Sequence, residues 1–250
     1  MKINETSLDT LCSALSYAMG VEQPKEAAEP CKDLTDYIDE ILKGEKADRI
    51  FMYNPDAIAQ WIYEKYPQLF TKVKEQTDIE IPFSTVMPSV TPVCFGTMYT
   101  GAQPEIHGIQ GYVKPVIIAT DGDSLSRIFL DREMDYFFFD TVEEVNAKTA
   151  EIIMEDKYDF IVVYNGNYDS IMHKTGPESL EALSEARVNS ETFAMFSEMI
   201  KNNWYNHNTL VGFAMDHGCH EIDGDCGSHG LDMPEDLNII HLYKGYPKVY

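Results

Sequence analysis

Apolar and polar positions along the chain change rhythm near residue 47. Before it the pattern is helical: two amphipathic stretches, over 7–19 and 32–43, flank the breaker run EQPKEAAEP. The second repeats Leu34, Tyr37, Ile38, Ile41 and Leu42 at helical spacing, which predicts one apolar face packed on a larger body. From Asp48 onward, short β-branched and aromatic runs alternate with helical ones. RIFMYN (49–54), PVIIAT (115–120), DYFFF (135–139), DFIVVYN (159–165), TLVGFAM (209–215) and NIIHLY (238–243) read as strands. Helical patterns run from Pro55 through Tyr66, over SLSRIFL, over TVEEVNAKTAEIIMEDK, and from about Glu178 to Asn203. This alternation predicts an α/β fold with a mostly parallel sheet sandwiched between helices. Residues 1–46 are then a helical extension and 47–250 a single α/β domain.

In such sheets ligands gather beyond the C-terminal ends of the strands. The first strand is followed by Asn54-Pro55-Asp56, the fourth by Asn165-Gly166-Asn167-Tyr168-Asp169 and then His173. The fifth is followed by Asp216-His217-Gly218, with His220 close behind and His229 further along. Each position alone has an ordinary explanation, an Asp as a helix N-cap or a His as a hydrogen-bonded structural residue. Together they bring oxygen and nitrogen donors to one rim, a set that suits zinc, manganese or iron. Two such sets side by side would form a two-metal site for phosphoryl transfer.

The segment Pro88 to Ile109 adds a nucleophile. Thr91 before Pro92 predicts a helix start, with Thr91 at the N-cap and Gly101 at the C-terminal stop. A hydroxyl at a helix N-terminus sits where free N–H groups favour an anion. The bland alternative is that Thr91 only caps the helix. Cys219-His220, Cys226 and His229 offer another assembly, a small structural zinc knot. His107 is expected to fix the turn after the Thr91 helix, and Asp223-Gly224-Asp225 to be an ordinary turn.

Composition narrows the setting. Forty-two acidic against nineteen basic residues leave a net charge of −23, which disfavours a nucleic-acid polymer or an anionic membrane as partner. At 44% hydrophobic and 24% charged the chain is an ordinary globular one. No apolar run is long enough to span a bilayer, and the first residues lack a signal-peptide pattern. With five cysteines, an odd number, the expectation is reduced thiols in the cytoplasm.

PSVTPVCFGTMYTGAQPEIHGI resembles the nucleophile segment of the alkaline phosphatase superfamily, most closely its type I phosphodiesterase/nucleotide pyrophosphatase branch. The likeness continues through Asp169 and His173 with Gly176-Pro177, through Asp216-His217-Gly218, and through His229-Gly230, in the same order over about 49–242. The resemblance implies an alkaline-phosphatase-like fold and two divalent metal ions, zinc foremost. Asp169, His173 and His229 would hold one; Asp56, Thr91, Asp216 and His217 the other. The usual Asp-Gly after the first strand is replaced by Asn54-Pro55-Asp56-Ala57, so Asn54 rivals Asp56. The resemblance places an Asn three residues after the nucleophile, where this chain has Cys94; Cys94, Asn165, Asn167 or the helix amides are candidates for that phosphoryl contact. The implied activity is hydrolysis of a small-molecule phosphodiester or nucleotide pyrophosphate through a phospho-threonine intermediate. The alternatives are non-hydrolytic metal or phosphate binding on the same fold, and a phosphotransferase or mutase.

Overall fold

The structure, a computed structural model, describes residues 2–109, 139–224 and 226–249. Its elements run in the order α1 (Thr10–Met19), α2 (Lys32–Ile41), β1 (Arg49–Pro55), α3 (Gln60–Lys65), α4 (Thr71–Glu75), β2 (Ile79–Ser84), α5 (Thr91–Thr100) and α6 (Pro104–His107). Then come α7 (Val142–Glu155), β3 (Phe160–Asn165), α8 (Asn167–Thr175), α9 (Leu180–Asn203), β4 (Thr209–Ala214), β5 (His220–Ile222), β6 (Cys226–Ser228), α10 (Pro234–Leu237) and β7 (Asn238–Tyr246).

Five strands form one sheet in the order β2-β7-β4-β1-β3. β1 pairs in parallel with both β3 and β4, whereas β7 lies antiparallel to both β2 and β4. The fold is α/β, but its sheet is mixed, which corrects the mostly parallel expectation. β7 follows the small β5–β6 hairpin and the single turn α10 rather than a long crossover helix, so the chain re-enters the sheet running the other way. β2 was not foreseen. Pro82 interrupts its apolar run and only Ile81 and Phe83 are well buried, the character of an edge strand. The strand expected over 115–120, the helix after it, and all but the last residue of the strand expected over 135–139 lie outside the described residues.

β4 is buried at every position and β1 at all but its first, because helices cover both faces of the central sheet. On one side Tyr53, Phe193, Phe196 and Phe213 meet edge-on, tilted or stacked, with ring centroids 5.5–6.3 Å apart, and pin the long α9 to β1 and β4. Each such buried ring contributes about 2–3 kcal/mol of transfer free energy. α9 is capped by Ser179, whose hydroxyl accepts from Ala182 N, and α7 starts with a reciprocal capping box between Thr141 and Glu144. The N-terminal helices share the same core: Leu8, Leu11, Leu15 and Leu34 are fully buried in it, and Ala28 N donates to Gly101 O at the end of α5. Among the described residues no helix is long and apolar enough to cross a membrane.

Candidate metal centre

β1, β3 and β4 run side by side in one direction, so their C-terminal ends open onto one rim. β1 ends at Pro55 instead of passing into a helix there; Ala57 adopts a left-handed conformation (φ 59°), and α3 begins only at Gln60. That tight turn drops Asp56 into the rim, where Ala57 N donates to Asp216 Oδ1 at 3.1 Å. The neighbouring Asn54 is committed elsewhere: its amide donates to Ala214 O at 2.7 Å and its carbonyl accepts from Tyr99 at 2.6 Å. Asp56, Asp216 and His217 gather as one group of ligand atoms, all within 4.8 Å of one another.

Thr91 joins that group. It is the first helical residue of α5 and not its cap; Val90 takes the cap position, with no side-chain capping bond. Thr91 Oγ1 instead lies 3.2 and 3.3 Å from the two Asp56 oxygens and 3.2 Å from His217 Nε2. Asp169 and His173, one helical turn apart on α8, form a second group with His229. The two groups touch, since the His217 and His229 rings are 4.2 Å apart between centroids.

The three histidines share one arrangement. His173 Nδ1 faces Gly227 O at 2.9 Å, His217 Nδ1 faces Gly218 O at 3.0 Å, and His229 Nδ1 faces Ser89 O at 2.9 Å. A carbonyl only accepts, so each Nδ1 carries a proton and each Nε2 turns toward the carboxylates, the orientation in which imidazoles bind metals. Two carboxylate oxygens, Asp169 Oδ1 and Asp216 Oδ2, are buried without a hydrogen-bond partner. Asp169 Oδ1 lies 3.1 Å from His173 Nε2 and 3.3 Å from His229 Nε2, with neither aligned as a hydrogen bond. Buried orphan oxygens facing imidazole nitrogens are costly for a protein by itself and fit a divalent cation bound by each group.

Electrostatics agree. Asp216 is pushed up to about 8 by burial, against the pull of His217, and the charge of Asp56 adds to the rise. Burial works to lower His217, but the Asp216 and Asp56 carboxylates outweigh it and raise its pKa to about 10. Burial likewise acts to raise Asp56, and its contacts with His217 and Tyr164 hold it below the ordinary value. The ion-pair partners of Asp56, Asp169 and Asp216 are all histidines among the described residues.

The expected phosphoryl contacts fall differently. Cys94 is fully buried with its thiol accepting from Thr85 at 3.1 Å, and burial pushes its pKa well up, so it faces the core and cannot touch a substrate. Asn165 is buried too: it donates to Tyr53 and accepts from Asn167 N, setting the start of α8. The Asn167 side chain reaches toward Glu185 at 3.4 Å. The Cys–His zinc knot does not assemble. Cys219 lies buried by Tyr168, Cys226 faces backbone carbonyls, His220 pairs with Asp236, and His229 belongs to the Asp169 group. His107 holds the turn after α5, with Nε2 3.1 Å from Thr97 Oγ1 and Nδ1 accepting from Ile109 N.

Sequence reasoning missed Tyr164. It leaves β3 beside Val162 on an outward face and donates its phenol to Asp56 Oδ2. Nothing in a strand-forming tyrosine marks it for chemistry; only the turn that carries Asp56 beneath it does. Compared with family models and with curated proteins, the sequence matches none.

Proposed function

We propose that the chain is a metal-dependent hydrolase of small phosphate esters, of the phosphodiester or nucleotide pyrophosphate kind, and a member of the alkaline phosphatase superfamily. The observation that carries this reading is Thr91 Oγ1, a hydroxyl at a helix start that faces Asp56 and His217 within 3.3 Å. Asp56, Asp216 and His217 beside Thr91, and Asp169, His173 and His229 next to them, are the residues that would each hold one divalent cation. Two bound cations, zinc foremost with manganese or iron as rivals, supply Lewis acidity and neutralise the charge of the phosphoryl oxygens.

The chain's own part is nucleophilic. Thr91 Oγ1 gives up its proton to solvent and bonds to phosphorus, while the opposite P–O bond breaks and its electron pair leaves on the departing oxygen, which takes a proton from water where its basicity requires one. Water then displaces Thr91 from phosphorus, restoring the hydroxyl and releasing the product. Asp56 orients Oγ1, and the Nδ1–carbonyl contacts keep the three imidazoles aimed at the rim. A net charge of −23 disfavours polyanionic substrates, so the substrate is a small ester. A cytoplasmic setting accords with five free cysteines.

Thr91→Ala, assayed on bis(p-nitrophenyl) phosphate after loading with zinc or manganese, should lose at least about 10³-fold in turnover. Full activity in that variant removes Thr91 as nucleophile. Bound cation with no turnover in the wild type would instead favour the non-hydrolytic reading.

A further inference from the structure

The donors around Thr91 are scarce. Pro92 has no amide hydrogen, and the Val93 and Cys94 amides both return to Val90 O at 3.0 Å. Of the first turn of α5, only Thr91 N remains for an anion among the described residues. The anion-binding capacity expected of a helix start is therefore mostly spent. Cys94 faces inward, and no lysine or arginine pairs with the site carboxylates among the described residues. A phosphoryl group on Thr91 needs a donor from another element.

We infer that Tyr164 is a catalytic residue that donates its phenolic hydrogen to a non-bridging phosphoryl oxygen during transfer to and from Thr91. This rests on the hydrolase reading above and adds one residue to it. Tyr164 Oη and Thr91 Oγ1 both contact Asp56 Oδ2, so the phenol stands on the nucleophile's side of the rim. Thr91 Oγ1 spans both Asp56 oxygens, 3.2 Å from Oδ1 and 3.3 Å from Oδ2, and His217 Nε2 lies 3.2 Å from Oδ1. Oδ2 is the one Asp56 oxygen that hydroxyl and phenol share. Tyr164 is 43% exposed, so a substrate can reach it.

Its ring is aimed by its neighbours. Phe95, one helical turn beyond Thr91 on α5, meets the Tyr164 ring edge-on at 5.7 Å between centroids. Gly166 leaves the space that the phenol fills: a Cβ there would stand 2.6 Å from Tyr164 Oη. The backbone at Gly166 (φ −94°, ψ 9°) is open to alanine, so crowding against the phenol is the whole cost of that substitution. The hydrogen bond shifts from Asp56 to the phosphoryl oxygen and back; the phenol keeps its proton and no bond of Tyr164 breaks.

The test compares wild type, Tyr164→Phe, Gly166→Ala and Thr91→Ala, each full-length and loaded with zinc or manganese. Three quantities are read: bound metal per chain, kcat and KM on bis(p-nitrophenyl) phosphate, and inhibition by orthovanadate. Losing one transition-state donor costs roughly 10²–10³-fold in kcat. Tyr164→Phe should show that loss with KM and metal content kept, and vanadate inhibition should weaken in parallel. Gly166→Ala, which displaces the phenol without removing it, should move the same way. Wild-type kcat and vanadate inhibition in Tyr164→Phe overturn the inference while leaving the hydrolase reading intact. Loss of metal in Tyr164→Phe also overturns it, because the phenol then serves only to hold Asp56. An inactive wild type, or an active Thr91→Ala, removes the hydrolase reading itself and this inference with it.

Discussion

Asp56, Asp216 and His217 sit in a space that the protein's own atoms satisfy badly. All three are buried, and Asp216 Oδ2 has no hydrogen-bond partner. In cation-free protein the Asp56 and Asp216 carboxylates hold a proton on His217 Nε2 and raise its pKa to about 10, while burial, against the pull of that charge, raises Asp216 to about 8. A cation that takes Nε2 must displace that proton, and below about pH 8 it must displace one from Asp216 as well. Cation affinity at this group should therefore rise with pH toward about 10 and fall as pH drops, with net proton release at pH 7. Calorimetric titration of chelator-treated protein with zinc, in two buffers of different ionisation enthalpy, reads this directly. Identical enthalpies in the two buffers would refute it. At this scale the sequence named most of the rim, since Thr91, Asp169, His173, Asp216, His217 and His229 all converge there. It could not choose Asp56 over Asn54, because that choice depends on Tyr99 and Ala214 claiming the Asn54 amide.

Among elements, the seam between the N-terminal segment and α5 sets where the nucleophile helix ends. Gly101 closes α5 in a left-handed turn (φ 72°), as the Thr-Gly pattern anticipated. It also touches the N-terminal segment closely. A Cβ at Gly101 would lie 2.5 Å from Ala27 Cβ and 3.0 Å from Cys12 Cβ, a crowding that no local pattern contains. Gly44 shares the left-handed conformation (φ 79°) but has nothing within 4 Å. Gly44→Ala should then cost only the conformational penalty, roughly 1 kcal/mol. Gly101→Ala should cost about 1–3 kcal/mol more, from overpacking. Urea unfolding of both variants measures the difference, and equal losses would show that α1 and α5 are not tightly joined. The strands divide along the same line. β1, β3 and β4 carry continuous apolar runs and were readable as strands, whereas β2 relies on pairing with β7 to tolerate Pro82.

For the whole molecule the dominant long-range force is self-repulsion. A surplus of 23 negative charges favours expansion, and the ion pairs that offset it are mostly exposed and weak, such as Lys2–Glu5 and Lys32–Asp36. Salt shortens the reach of that repulsion, to about 10 Å at 0.1 M. The melting temperature should therefore climb as sodium chloride is raised from about 10 mM to about 200 mM, where screening sets in. A flat or falling melting temperature would mean that the surface charges are already balanced locally.

What the sequence alone determined was local. Apolar periodicity marked α1, α2, α9 and the central strands, and the order of Thr, Asp and His residues marked the rim, because these signals lie within a few residues of one another. The tertiary structure decided what depends on distant partners. The direction of β7 is set by how the chain returns to the sheet, so periodicity could not show that the sheet is mixed. The burial of Cys94 and Asn165 follows from what packs over them, and the approach of Tyr164 to Asp56 joins residues 108 positions apart. A side chain's chemical type is written in the chain, whereas the atoms that face it come from other elements, and those contacts exist only once the sheet is closed.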